Sequence, residues 1–317
     1  MNRGIIMALC VNLQTGEQIN LLVQHIFGRH PDAVNTVLTN LDASRMHATI
    51  LWDGEFWVLQ DSSSNGTFVN GTRISRGSKL KLVLNDTINF GNLNAPGWQL
   101  PDIESPQSML VPETPGLATI MLEKMAVLPN EASPEITLYL SAAGQWLCES
   151  QAGTSTLKNG DRVGTSESIW RFAEAKVCAE TRLVAEPRAD QTAEIAVFFD
   201  VSQNEEHVSL RLKLGQQDFD LKQRNHHYLL LLLARQRLAD KQKGVTAREQ
   251  GWIDKSVLCK MLKQGENHIN IQIYRFRKQL LGALPESQSS PQIIERRSGE
   301  IRFACNAIQI QGGGQAQ

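Results

Sequence analysis

Between residues 8 and 90 the chain alternates short runs of strand-forming residues with clusters of Gly, Asn, Asp and Ser, and no stretch carries a helical period. That pattern restricts the region to β-structure built from short strands and tight turns. Residues 21–26, 48–52 and 56–60 read as strands, and Trp52-Asp53-Gly54-Glu55 reads as the turn of a hairpin. A β-sandwich is therefore expected over residues 1–95. Five prolines, Pro96, Pro101, Pro106, Pro112 and Pro115, mark residues 96–116 as a linker.

A second strand-rich stretch, a small β module, is expected over residues 117–190. Runs at 136–140 and 146–149 flank Ala142-Ala143-Gly144, a hairpin signal. This stretch echoes the first: Asn85-Asp86-Thr87-Ile88 is followed by Trp98, and Gly160-Asp161-Arg162-Val163 by Trp170. A degenerate second sandwich and a common Gly-Asp turn account for the echo equally well. Beyond residue 193 the pattern changes again. Strands at 195–201 and 208–214, with a short third around Phe219, precede helical segments at 224–239, 255–263 and 268–281. A hairpin around Ser298-Gly299 closes the domain expected over 193–310.

Charge divides the chain in the same place. The formal net charge is −1. Residues 1–210 hold 14 Lys and Arg against 24 Asp and Glu, a balance of −10, whereas residues 211–303 hold 18 against 9, a balance of +9. A basic block on an acidic remainder points to a domain that meets a polyanion. The strongly apolar run at 228–234 is far too short to cross a bilayer. Five dispersed cysteines without a CxxC pair fit reduced thiols, so a cytoplasmic protein without disulfide framework or zinc site is expected. His226 and His227 diverge by about 100° on a helix and no Cys or carboxylate cluster joins them, so packing roles are expected and no metal. No P-loop, GxSxG, HExxH or paired-carboxylate signature is present, and the chain reads as a non-enzyme with no cofactor.

Three separated segments carry the first candidate site: Gly28-Arg29, Ser44-Arg45-Met46-His47 and Ser64-Asn65-Gly66-Thr67. Holding a phosphorylated side chain takes a fixed cation, hydroxyl donors and amide donors around three anionic oxygens. Arg29 offers a forked donor set that Lys cannot reproduce. Ser44 offers a hydroxyl, and Asn65 an amide for the peptide beside the phosphate. Segments so far apart in sequence meet only on a rigid scaffold.

The GR … SxxH … NG pattern resembles the forkhead-associated (FHA) domain, with spacings typical of that family. The resemblance implies phosphothreonine binding, with phosphate contacts from Arg29, Ser44 and Arg45 and a grip on the phosphothreonine residue and peptide from Ser64 and Asn65. It also implies structural roles for Gly28, His47 and the Asn70-Gly71 turn. Asn85-Asp86 stands where the family usually has Gly-Asp.

The second candidate site lies in the basic block. Ile269, Ile273, Phe276 and Leu280 share one helix face and should enter a core. The opposite face presents Ile271, Tyr274, Arg275 and Lys278, with Arg277 and Gln272 on the flanks. An isoleucine among cations suits a helix in a major groove, where an apolar group meets a thymine methyl and Arg reads guanine or phosphate. Arg296, Arg297 and Arg302 on the hairpin suit a backbone or minor-groove grip. Roughly residues 193–304 resemble the winged-helix effector domain of OmpR-like response regulators, with 268–280 as recognition helix and 294–303 as wing. The resemblance implies base contact by Arg275, phosphate contacts by Arg277 and Lys278, and wing contacts by Arg297 or Arg302. Two departures stand out: a long link between the first two helices and a short one between the second and third. No receiver domain precedes the reader.

The expected whole is a multidomain chain: an all-β FHA sandwich, a small β-rich middle module and an α+β winged helix-turn-helix. It is expected to regulate transcription in response to phosphothreonine. Its expected partners are a phosphothreonine-containing protein (a Ser/Thr kinase or a kinase substrate), double-stranded promoter DNA and a second copy of the chain, for which the middle module offers a surface; no membrane is expected. The alternative is an adaptor whose winged helix binds protein.

Overall fold

The computed structural model describes residues 8–141, 143–175, 195–285 and 290–314. The boundary expected near residue 193, the end of the middle module beyond 175 and Cys178 lie outside them. The chain divides into two compact units: Met1–Leu122 with Asn159–Arg162 and Trp170–Arg182, and Glu123–Lys158 with Val163–Ile169 and Leu183–Gln317.

The first unit contains two sheets over residues 9–102. One orders the strands Gln18–Asn20, Leu9–Asn12, Gly97–Asp102, Thr87–Phe90, Thr67–Val69 and Thr72–Arg73; the other Thr36–Val37, Gln24–Gly28, Ala48–Trp52, Trp57–Asp61 and Lys79–Lys81. Alternating residues of both enter one core of Phe27, Ile50, Leu59, Ile88, Phe90, Trp98 and Leu100. The Phe27 and Phe90 rings stack at 4.9 Å, and Trp98 meets Phe27 edge-on at 5.6 Å. Fully burying an apolar side chain of this size contributes about 1.5–3 kcal/mol. The hairpin turn falls where the sequence predicts it, with Asp53 Oδ1 accepting from Glu55 N and Phe56 N at 2.9 and 2.7 Å.

The linker expected over residues 96–116 is corrected at two places, since Gly97–Asp102 and Met109–Pro112 are both paired strands. Residues 97–102, read from sequence as linker, are a strand paired on both sides, to Leu9–Asn12 and to Thr87–Phe90. Pro101 is tolerated because it sits at a shift of register between Leu9 and Val11, where the ladder already lacks a bond. Beyond it, a four-stranded sheet orders Ile120–Met121, Met109–Pro112, Ile169–Ala173 and Arg162–Gly164.

The second unit opens with an antiparallel meander of Met125–Asn130, Ser133–Leu140, Trp146–Ser150 and Gly153–Thr156. Next comes a sheet ordered Gln217–Gln223, Val208–Leu214, Ile195–Val201 and Ala307–Gly312, the last pair parallel. Three helices follow, α1 (His227–Gln242), α2 (Lys255–Leu262) and α3 (Glu266–Ala283). Leu229–Leu233 of α1 are all buried, which fits a helix covered on several sides. Asp254 caps α2 through its carboxylate, 2.7 Å from Ser256 N. Ile269, Ile273, Phe276 and Leu280 of α3 join the core with Ile294, Ile301 and Phe303. Strands Ile294–Arg297 and Glu300–Phe303 form a hairpin at Ser298-Gly299, and Ile253–Asp254 adds a third strand beside Glu300–Phe303.

Candidate functional site

Strand ends bring the three predicted loop segments together at one end of the first sandwich. Backbone bonds tie the first to the second: Arg29 N donates to Ser44 O at 3.0 Å and His30 N to Arg45 O at 3.1 Å. The approach requires glycine at position 28, because a Cβ there would stand 2.2 Å from Arg45 O. The second segment is tied to the third through His47, which is fully buried. Its Nδ1 accepts from Ser44 N at 2.9 Å and its Nε2 faces Gly66 O at 3.1 Å. Nδ1 as acceptor makes Nε2 the protonated nitrogen of a neutral ring. Burial holds the ring's pKa below the usual histidine value, opposed by the Gly66 carbonyl and the Asp61 carboxylate.

The side chains converge further. Ser44 Oγ accepts from Ser64 N at 3.1 Å, and Arg29 Nε donates to Ala43 O at 2.5 Å. Asn65 Nδ2 donates to Asp42 O at 2.9 Å. Below them Asp61 Oδ1 accepts from Ser63 N at 3.1 Å and Thr67 Oγ1 at 2.8 Å, and Ser63 Oγ accepts from Gly66 N at 2.8 Å. This buried network lets Asn65 and Ser64 stand exposed on a fixed loop. The structure thus places Arg29, Ser44, Arg45, Ser64 and Asn65 together, with Arg29, Arg45, Ser64 and Asn65 exposed and Ser44 half-buried. Sequence reading missed Asp42 and Ala43, whose backbone carbonyls accept from Asn65 and Arg29 and so leave no side-chain signature; the Asp42 carboxylate also accepts from Asn92 Nδ2. The Asn70-Gly71 turn is structural: Asn70 has φ 50° and its amide donates to Asp86 Oδ1 at 2.7 Å. Asn85, in place of the family's glycine, takes φ 67°, a conformation asparagine tolerates.

The second candidate set is placed differently from expectation. Arg275 and Lys278 are exposed on α3, and Ile271 is half-buried. Tyr274 and Arg277, expected on the outer face and its flank, are buried, 5% and 3% exposed. The reason is the sheet formed by residues 125–156, which covers that side of α3. Arg277 pairs with the buried Glu149 carboxylate and lies 4.0 Å over the Tyr139 ring. Arg296 Nε stands 3.0 Å from the other Glu149 oxygen, in ion-pair range, and its guanidinium donates to Asn270 Oδ1 at 2.9 Å. Tyr274 Oη donates to Glu131 at 2.5 Å and Lys278 Nζ at 2.7 Å. On the wing, the Arg297 and Arg302 guanidinium carbons lie 4.3 and 4.5 Å from the Trp252 ring. Arg297 also pairs with Glu249 and Glu300, and Arg302 with Glu295. Glu131 and Glu149 carry no sequence signature; only the tertiary arrangement makes them partners of α3. His226 and His227 both face Gln279 Oε1, at 2.7 and 3.0 Å. Among the described residues, no group of three or more His, Cys, Asp or Glu is placed to hold a metal ion. No described helix is long and apolar enough to cross a membrane.

The family model of the FHA domain matches residues 25–91, the segment that holds every loop of the first site. Among solved structures, EmbR of Mycobacterium tuberculosis in complex with a low-affinity phosphopeptide is similar at 27% identity. That match covers 33% of this chain and 27% of that one, with a TM-score of 0.29. The chain thus spans about a quarter of EmbR. The FhaA FHA domain is 27% identical over 29% of this chain and 98% of its own, at a TM-score of 0.26. The N-terminal FHA domain of S. cerevisiae Rad53p, in complex with a phosphothreonine peptide, is 23% identical over 30% of this chain and 91% of its own, at 0.27. No curated protein matches the chain.

Proposed function

We propose that this chain is a phosphothreonine-dependent regulator, whose FHA domain docks a phosphorylated protein and whose C-terminal helices and hairpin form a winged-helix DNA reader. One observation carries the first half: the convergence of Arg29, Ser44, Arg45, Ser64 and Asn65 on a frame held by buried His47. With Arg29 Nε engaged on Ala43 O, a phosphate would be met by the terminal guanidinium nitrogens, together with the Ser44 hydroxyl. Asn65 would hold the peptide main chain beside it. This reading assigns no catalysis to the chain and a cytoplasmic location. The test is titration of the full chain with a degenerate phosphothreonine peptide pool and its unphosphorylated counterpart. Saturable binding of the phosphorylated pool alone supports it, and equal binding of both pools sinks it.

The second half rests on the order of elements, a strand meander, three helices and a three-stranded hairpin sheet, and on Arg275 exposed on α3. If four to six phosphates are neutralised, log K for duplex DNA should fall with a slope of roughly −4 to −5 against log salt. The burial of Tyr274 and Arg277 favours the adaptor instead, since neither reaches a base in this arrangement. Absence of duplex binding at low salt would decide for the adaptor.

A further inference from the structure

Two stretches of the chain share one hydrogen-bonding plan. In the first sandwich Leu21 N donates to Ala8 O, Trp52 N to Val23 O, Leu82 N to Trp57 O, Asn85 N to Leu100 O and Leu100 N to Asp86 O, all at 2.7–3.0 Å. Further along, Leu122 N donates to Ser108 O, Leu140 N to Lys124 O, Leu157 N to Trp146 O, Gly160 N to Phe172 O and Phe172 N to Asp161 O, all at 2.8–2.9 Å. The matched positions are buried in both stretches: Trp57 and Trp146, Leu82 and Leu157, Trp98 and Trp170. Strand order agrees too. The run Gln18–Asn20, Leu9–Asn12, Gly97–Asp102, Thr87–Phe90 corresponds to Ile120–Met121, Met109–Pro112, Ile169–Ala173, Arg162–Gly164. Likewise Gln24–Gly28, Ala48–Trp52, Trp57–Asp61, Lys79–Lys81 corresponds to the meander of residues 125–156.

The two differ where the phosphate-binding loops stand. Val23 to Trp52 is a separation of 29 residues, whereas Lys124 to Leu140 is 16. Trp57 to Leu82 is 25 residues, whereas Trp146 to Leu157 is 11. The segments lost are those that carry Arg29, Ser44 and Arg45 in one case and Ser64 and Asn65 in the other. Residues 82–88 and 157–163, which carry no pocket residue, correspond without a gap. What remains at the stripped end are the turns at Glu131 and Gln151 and the strand end at Glu149, and these touch the C-terminal helices and hairpin. Glu131 accepts from Tyr274 and Lys278, Glu149 faces Arg277 and Arg296, and Gln151 O accepts from Lys255 Nζ at 3.3 Å.

We propose that residues 108–173 are a second FHA-like repeat from which the phosphopeptide loops have been lost, and that its stripped end is an intramolecular clamp on α3 and the wing. Its carboxylates occupy the cationic side of α3 as phosphate oxygens would. The cations buried there, Arg277, Arg296 and Lys255, outnumber the buried carboxylate Glu149, so the face suits a polyanion when the clamp is off. That consequence rests on the DNA reading above; the clamp itself does not.

Glu149→Gln leaves buried arginines without their counter-charge and risks unfolding, so the decisive variant is Glu131→Lys at an exposed turn. Glu206→Lys, an exposed acid in the same unit, matches its charge change. In the full chain, hydrogen–deuterium exchange over residues 266–283 should rise at least about fivefold in rate in Glu131→Lys and stay at wild-type level in Glu206→Lys. Exchange unchanged in both would overturn the clamp. Anisotropy with a generic duplex at low salt then tests the other reading. Tighter binding by Glu131→Lys than by Glu206→Lys, with raised exchange, supports clamp and reader together. Raised exchange with no duplex binding by any variant supports the clamp and ends the DNA reading.

Discussion

His47 links two loops of the proposed phosphate site through a ring that must stay neutral, because Nδ1 accepts from Ser44 N. His25 lies in the same core, with Nε2 2.8 Å from Thr36 Oγ1, and burial pushes its pKa down to about 4. Both histidines bind protons less readily folded than unfolded, where the value is near 6.5. The FHA domain should therefore keep full stability above pH 6.5 and lose it as pH falls from 6.5 toward about 4. His25 alone accounts for about 3 kcal/mol of that loss. Thermal melts of the full chain across this range check the sign: a transition of the FHA domain that does not fall between pH 6.5 and 4.5 contradicts it. These residues also show what a sequence discloses about a site. Arg29, Ser44 and Asn65 announce themselves because phosphate chemistry demands those side chains. Asp42 and Ala43 do not, since any residue supplies a carbonyl.

At the scale of elements, α3 was legible as a helix and its core face was legible from the spacing of Ile269, Ile273, Phe276 and Leu280. Its outer face was not. Periodicity says which residues leave a helix's own core, but not whether another element covers them, and here residues 125–156 do. The consequence is energetic as well as steric. Removing one partner of a buried ion pair strands the other, at a cost of about 3–5 kcal/mol. Glu149→Gln, which abandons Arg277 and Arg296, should lower the unfolding free energy of the second unit by such an amount. Lys278→Ala, which removes an exposed partner of Glu131, should leave that free energy almost unchanged. Equal effects of the two substitutions, read by chemical denaturation, would contradict the buried role of Glu149.

Across the whole molecule, the strand-and-turn alternation of residues 8–90 was enough to anticipate a β-sandwich, and Gly28, Arg29, Ser44, His47 and Asn65 its FHA character. The strand at 97–102 was hidden by Pro101, whose missing N–H falls at a register shift. The echo around Asp86 and Asp161 was visible but ambiguous, because a Gly-Asp turn recurs in many β-proteins; matched backbone bonds resolve the ambiguity. In the proposed arrangement one repeat keeps its loops and reads phosphate, and the other has lost them and holds the C-terminal helices. The proposed function requires the first repeat to bind phosphothreonine through Arg29. Calorimetric titration of the full chain and of Arg29→Ala with the same phosphothreonine peptides checks that requirement. Loss of the charge-assisted contacts should weaken binding roughly ten- to hundredfold. An Arg29→Ala protein that binds those peptides as tightly as the wild type would exclude Arg29 as the phosphate contact.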